Sequence, residues 1–96
     1  MGNQVSILYH PAAVREFEKL SREVRVRILQ ALEELHETGR GDLRHIRRGV
    51  WSLRVGDYRV YLKRTDGDVL VAGVDHRRHA YIPERVRALE KRLIDR

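Results

Sequence analysis

The sequence predicts an α+β domain: an N-terminal strand, an antiparallel helical hairpin, a three-stranded antiparallel meander and a C-terminal helix. Three observations predict it. Residues 50–75 alternate apolar and polar side chains around two two-residue turn signals, Gly56-Asp57 and Asp66-Gly67, as the strands of a meander do. Residues 12–35 carry apolar side chains at helical spacing on either side of a capping serine, Ser21. Pro83 then opens a last helical stripe at Val86, Leu89 and Leu93. At 96 residues the chain makes one domain, residues 1–96, with one modest core.

The first strand reads over Asn3 to Tyr9, with Val5, Ile7 and Tyr9 on one face and Ser6 and Leu8 on the other. Pro11 stops strand pairing and fits a helix's first turn, which makes His10 a loop or cap residue. Val14, Phe17 and Leu20 form the stripe of the first helix, with Arg15, Glu16, Glu18 and Lys19 turned outward. In the second, Val24, Ile28, Ala31, Leu32 and Leu35 fall at i, i+4, i+7, i+8 and i+11, and Thr38-Gly39-Arg40-Gly41-Asp42 ends it. So short a joint makes the two helices an antiparallel pair. Their mixed outer charges mark a solvated face.

Leu43 to Gly49 reads as a basic connector, with Ile46 tucked under, leading into strands at 50–55, 58–64 and 68–75. Counting outward from Gly56-Asp57 pairs Val55 with Tyr58, Arg54 with Arg59, Leu53 with Val60 and Ser52 with Tyr61. Counting from Asp66-Gly67 pairs Lys63 with Leu70, Tyr61 with Ala72 and Arg59 with Val74. These registers put Leu53, Val55, Tyr58, Val60, Leu62, Val69 and Val71 under the helical hairpin. Arg54, Arg59, Tyr61 and Lys63 lie on the other face with Leu70, Ala72 and Val74. The apolar half of that face needs a lid. The C-terminal helix supplies it by packing over Leu70 and Val74, leaving the arginine end open as a cleft; a fully solvated third helix is the alternative, because its apolar stripe is narrow.

Two arginines then oppose each other. Like charges across an antiparallel pair destabilise by a few tenths to roughly 1 kcal/mol, so either an anion such as a phosphate lies between Arg54 and Arg59, or the guanidinium groups splay into solvent or reach Asp57 or Asp75. Charge distribution points the same way. Residues 1–43 hold 6 Lys and Arg against 7 Asp and Glu, whereas residues 44–64 hold Arg44, Arg47, Arg48, Arg54, Arg59, Lys63 and Arg64 against Asp57 alone. The net charge of +6 is thus concentrated on one hairpin and its approach, as on a polyanion-binding face. Of the 20 basic residues 17 are arginine, which suits bidentate phosphate contact.

The chain has no cysteine, which excludes a disulfide framework and a thiolate metal site. His76 and His79 lack a third ligand and no HExxH spacing exists, so no metal and no cofactor are expected. No stretch approaches the ~20 apolar residues of a membrane span, and the N-terminus lacks the plan of a signal peptide. A cytoplasmic protein without a membrane partner is expected.

Leu53-Arg54-Val55-Gly56-Asp57-Tyr58-Arg59-Val60-Tyr61, together with His76-Arg77-Arg78-His79-Ala80-Tyr81, resembles the RelE/ParE superfamily of bacterial and archaeal toxins, in its RelE-like mRNA interferase branch. The shared pattern is leucine-arginine, a small turn and tyrosine-arginine, then, after the next strand, a His-Arg run ending in tyrosine. The resemblance spans nearly the whole chain. It implies the toxin of a type II toxin–antitoxin system: an endoribonuclease that enters the A site of the 30S ribosomal subunit and cuts mRNA by attack of the RNA's own 2′-hydroxyl, without metal. It also implies a RelB-like antitoxin as partner. Such a cut needs a base, cationic donors for the phosphorane and an acid for the leaving oxygen.

By the resemblance, Arg59 holds the scissile phosphate, Arg77 stabilises the transition state, and Tyr81 is either general base or a stacking platform. Arg44, Arg47 and Arg48 match positions that grip ribosomal RNA, and Arg54, Lys63 and Arg78 extend the RNA-binding surface. Three positions depart from the family. Val50 and Ser52 stand where several relatives carry lysine or arginine, His79 can take over a share of proton transfer, and Asp75 replaces a glycine before the His-Arg pair. The register also requires a break near Asp75, since otherwise Arg77 faces away from Arg59. In some relatives the antitoxin displaces the C-terminal helix, and the narrow stripe predicts that this costs little here. Two other readings share the fold: a ParE-like inhibitor of DNA gyrase, and a catalytically decayed RNA-binding relative.

Overall fold

The computed structural model describes residues 6–94. In chain order its elements are β1 (Ser6–Tyr9), α1 (Pro11–Glu18), α2 (Arg22–Thr38), β2 (Leu43–Arg47), β3 (Val50–Val55), β4 (Tyr58–Thr65), β5 (Asp68–His76), a 3₁₀ turn (Arg77–His79) and α3 (Pro83–Ile94). One five-stranded sheet runs β1-β5-β4-β3-β2, with β1 parallel to β5 and every other pair antiparallel. The expected fold class holds. The part of the first strand expected at Asn3, Gln4 and Val5 lies outside the described residues.

Local chemistry places the helices as the sequence indicates. His10 caps α1, its Nδ1 accepting the Ala12 N–H at 3.0 Å. Ser21 caps α2 through the Val24 N–H at 3.3 Å, and Gly39 ends that helix with φ +77°. Ile28, Leu32 and Leu35 of α2 are buried against Leu53, Val60, Leu62, Val69 and Val71, forming the core on one face of the sheet. A second, smaller core on the other face joins Leu89 and Leu93 of α3 to Val50, Tyr61 and Ala72.

The residues read as a connector form a strand. β2 pairs with β3, and the chain turns between them at Arg48-Gly49, both with positive φ, +36° and +79°, as a two-residue hairpin turn requires. The meander therefore has four strands. A bulge between His45 and Arg47 hides β2 from the alternation, because Ile46 falls out of step.

The first hairpin register is as counted, including Arg54 opposite Arg59. In the second, Lys63 faces Leu70 as expected, but Tyr61 faces Gly73 and Arg59 faces Asp75. A bulge between Tyr61 and Leu62 inserts Ala72 and shifts everything beyond it by one. Val74 accordingly turns into the main core on the side of the helical hairpin, not beneath α3. The break that the arginine geometry calls for thus lies at Ala72, upstream of Asp75.

The third helix is neither solvated nor loosely seated. Val86, Leu89 and Leu93 are buried. Polar contacts clasp it as well, since among the described residues β1 is short and leaves the outer edge of β5 without a strand beyond Val71. Side chains serve that edge instead. Glu16 of α1 accepts the Val74 N–H at 3.1 Å, Arg85 donates to the Val74 carbonyl at 3.3 Å, and Arg92 donates to the Ala72 carbonyl at 2.9 Å. The Glu16 carboxylate also binds Arg85 at 2.7 and 3.0 Å and Arg92 at 2.9 Å, and Asp75 takes the Arg85 Nε at 3.1 Å. Removing α3 breaks every contact of Arg85 and Arg92 and leaves only the Glu16–Val74 bond, so the cheap displacement expected from its narrow stripe does not hold.

Candidate active site

In antiparallel strands, residues directly opposite share a face and lie about 5 Å apart. On the α3 face this builds two rows. Arg44, Ser52, Tyr61 and Gly73 are successive partners across β2, β3, β4 and β5, and Arg54, Arg59 and Asp75 form the next row toward the hairpin tip. The Asp42 carbonyl accepts the Arg54 N–H at 2.9 Å, extending the β2–β3 pairing beyond the strand.

Tyr81 lies along the first row. After the 3₁₀ turn the chain adopts φ +67° at this residue, a region seldom entered by non-glycine residues. Its N–H donates to the Tyr61 hydroxyl at 3.2 Å, its own hydroxyl meets Ser52 Oγ at 3.2 Å, and the Arg44 guanidinium sits 5.7 Å from its ring centre. Arg44 thus covers one side of the ring, and the phenolic oxygen is held against the buried Ser52. Tyr61 supports the ring edge to face, with centroids 6.3 Å apart.

Asp42, Arg44, Ser52, Arg54, Arg59 and Tyr81 thereby line one cleft of about 330 Å³. Three guanidinium groups share it, and none has a carboxylate within ion-pairing distance among the described residues. Arg59 instead donates to the Gly56 and Tyr58 carbonyls at 3.3 and 3.1 Å, which holds its guanidinium at the hairpin tip. Asp75 faces Arg59 across the strands but is committed to Arg85.

The remaining predicted residues lie elsewhere. Arg77 sits at the same hairpin tip as Arg59, its N–H on the Asp57 carbonyl at 2.7 Å and its Nε 3.7 Å from the Asp57 carboxylate, but its exposed side chain does not line the cleft. Arg78 and His79 are exposed in the 3₁₀ turn, which His76 caps by accepting the Arg78 N–H at 3.2 Å. Arg47 pairs with Glu90 of α3 at 3.4 Å, Arg48 occupies the β2–β3 turn, and Lys63 borders a separate groove with Leu8, Leu70 and Leu93. The structure thus brings together Arg44, Arg54, Arg59 and Tyr81.

Ser52 and Asp42 enter the site unannounced. Ser52 is 1% exposed, and the register that pairs it with Tyr61 is visible in the sequence, but its contact with Tyr81 is not. Burial, reinforced by the Asp75 carboxylate, pushes the Tyr61 hydroxyl well above the usual phenol range, so that group stays protonated. Of the two tyrosines, Tyr81 alone reaches the cleft. Among the described residues no three His, Asp or Glu side chains group so as to hold a metal ion, and no helix is long and apolar enough to cross a membrane.

In sequence, the model of the family described as the ParE toxin of the type II toxin–antitoxin system parDE matches residues 7–81. No curated protein matches the chain. Among solved structures, a mutant of Escherichia coli toxin RelE in the free state superposes with a TM-score of 0.71 at 24% identity, covering 92% of this chain and 96% of that one. In the intact E. coli RelBE toxin–antitoxin complex a chain matches at 25% identity and TM-score 0.61, covering 76% and 96%. In the archaeal RelE–RelB complex of Pyrococcus horikoshii OT3 the values are 19%, 0.67, 78% and 97%.

Proposed function

The chain belongs to the ParE toxin family, within the RelE/ParE superfamily of type II toxin–antitoxin systems, and from that premise we propose that it is a cytoplasmic, ribosome-dependent mRNA endonuclease. The observation that carries the reading is the cleft in which Arg44, Arg54 and Arg59 meet the Tyr81 phenol. Two opposed arginines held by the backbone register are stable neighbours once a phosphate lies between them.

In this reading the mRNA enters the ribosomal A site and its scissile phosphate seats between Arg54 and Arg59. The 2′-hydroxyl attacks that phosphorus, Tyr81 removes the hydroxyl proton, and the guanidinium groups stabilise the phosphorane charge. Arg77, next to Arg59 at the hairpin tip, joins them when its weak, exposed pair with Asp57 opens, and His79 is the candidate to protonate the leaving 5′-oxygen. The products are a cyclic phosphate and a free 5′-hydroxyl, with no metal in the chemistry. Arg47, Arg48, Lys63 and Arg78 form an outer basic surface for ribosomal RNA. A RelB-like antitoxin is the partner that silences the toxin, as the RelBE and RelE–RelB assemblies of its structural relatives support.

Mapping mRNA ends on translating ribosomes with the purified protein tests the reading. The parent chain is expected to cut within the A-site codon, and Arg59→Ala and Tyr81→Phe to lose about 10²-fold or more, the usual share of a positioned acid or base. Equal cutting by all three proteins removes the site assignment. Inhibition of DNA gyrase is the second reading, favoured by the family model's ParE description. Trapped gyrase in a supercoiling assay, with intact mRNA, would establish it instead.

A further inference from the structure

We propose that Tyr61 is a positioning residue of this site: its buried hydroxyl receives the Tyr81 N–H and holds Tyr81 in the left-handed conformation that delivers the phenol to the cleft. Packing alone does not call for a hydroxyl here. Tyr61 is 0% exposed in the middle of β4, surrounded by Val50, Ala72 and Leu89, where a leucine or phenylalanine fills space without a polar atom to satisfy. The hydroxyl accepts the one backbone N–H that must be fixed for Tyr81 to turn back over the sheet, and the Asp75 carboxylate acts on it from the other side. Tyr81 does not reach this geometry from its neighbours: Ala80 is extended, and Ile82, before Pro83, is biased toward extended backbone as well.

The two ends of Tyr81 are gripped by adjacent rungs of one row. Tyr61 takes the main-chain N–H and Ser52 the phenol, each at 3.2 Å, and the two are direct cross-strand partners. The bulge between Tyr61 and Leu62 makes Gly73 the next rung. With no side chain there, Glu16, Leu89 and Arg85 close over Gly73, at 2.7, 2.7 and 3.0 Å from where a Cβ would stand. Arg85 in turn holds Asp75, whose carboxylate acts on the same Tyr61 hydroxyl. The anchor is therefore fixed on both sides before any ligand arrives. Burial keeps Tyr61 neutral, so it supplies geometry and not proton transfer.

The proposal deepens the nuclease reading but is measurable without it. In Tyr61→Phe, the Tyr81 amide is expected to exchange with solvent about tenfold faster or more, while the core amides of Val60 and Val71 keep their protection. On programmed ribosomes, kcat is expected to fall at least tenfold with KM unchanged. The same change made in a Tyr81→Phe background is expected to add no further loss, because both act through one phenol. An unchanged Tyr81 amide, a retained kcat, or losses that multiply would overturn the assignment. Should the parent chain not cut mRNA at all, the nuclease reading falls, and the amide exchange alone decides whether Tyr61 positions Tyr81. If the phenylalanine variant does not fold, 3-fluorotyrosine at residue 61 keeps ring and hydroxyl but weakens the acceptor. It should then shift the Tyr81 amide proton upfield, and an unmoved resonance counts against the proposal.

Discussion

Glu16→Ala is expected to destabilise the protein by about 3 kcal/mol, and the contacts of that side chain explain the figure. Its carboxylate serves three donors: the Val74 N–H on the open edge of β5, Arg85 through two bonds, and Arg92. Alanine leaves the Val74 N–H without an acceptor, a loss of about 1–3 kcal/mol. Arg85 keeps Asp75 and the Val74 carbonyl, and Arg92 keeps the Ala72 carbonyl, so each loses part of its pairing and not all of it. Each ion pair is about a fifth exposed, 20% on the arginine side and 23% on Glu16, so solvent replaces some of the lost attraction and the sum stays below the ~3–5 kcal/mol of a fully buried broken pair. For a domain of this size, 3 kcal/mol lowers Tm by roughly 12–24 °C.

The same residue fixes a pH dependence. Burial pushes the Glu16 carboxyl upward, but hydrogen bonds from Arg85, the Val74 N–H and Arg92 outweigh it and hold the group below the usual carboxylate range. A depressed folded value means that its contribution is whole above the ordinary value of 4.5 and is lost as pH falls through the folded value. Urea unfolding followed by circular dichroism, at steps from about pH 7 to pH 2, should show a gap between parent and variant that is constant above pH 5 and closes in acid. A variant within about 0.5 kcal/mol of the parent at neutral pH, the range of ordinary surface substitutions, would refute the clasp. So would a gap that ignores pH.

Other consequences are as direct. Gly73→Ala puts a Cβ 2.7 Å from both Glu16 Oε1 and Leu89 Cδ2, an overpacking expected to cost about 1–3 kcal/mol in chemical denaturation. Arg54→Ala removes the charge opposite Arg59; stability should rise by a few tenths to about 1 kcal/mol while the salt dependence of RNA binding falls by about one unit of slope. Ending the chain at residue 82 exposes the sites of Val86, Leu89 and Leu93, worth roughly 1.5–3 kcal/mol each, against a whole-domain stability of about 5–15 kcal/mol. That truncated chain should show no cooperative melt.

Where local rules dominate, the sequence is readable. Ser21, Gly39 and the two-residue turns at 56–57 and 66–67 act through their nearest neighbours, and the register counted from Gly56-Asp57 is the one observed. Opposition of Arg54 and Arg59, the first sign of an anion site, follows from that register. Failures occur at irregularities. One bulge beside Ile46 disguises β2 as a basic loop, and Arg48-Gly49 lacks the Asn or Asp that advertises a tight turn. Another at Ala72 moves Val74 from the lid to the main core and brings Asp75 opposite Arg59.

The contacts at Glu16 and Ser52 are illegible for a different reason. Glu16 is turned outward by the helical stripe of α1, and only the shortness of β1 gives it a strand edge to serve. Ser52 stands where a basic residue is expected, and its value depends on Tyr81, 29 positions away and held in a conformation that no propensity predicts. Side chains joined across such distances need coordinates.

The nuclease reading comes down to whether the RNA's own 2′-hydroxyl is the nucleophile in the cleft of Arg54, Arg59 and Tyr81. Ribosomes programmed with an mRNA bearing a single 2′-deoxynucleotide at the cut position measure this directly. The parent protein should cut the all-ribose message, leave a cyclic phosphate, and leave the deoxy-substituted message whole. Cleavage that proceeds through the deoxynucleotide, or ends that carry no cyclic phosphate, would contradict it.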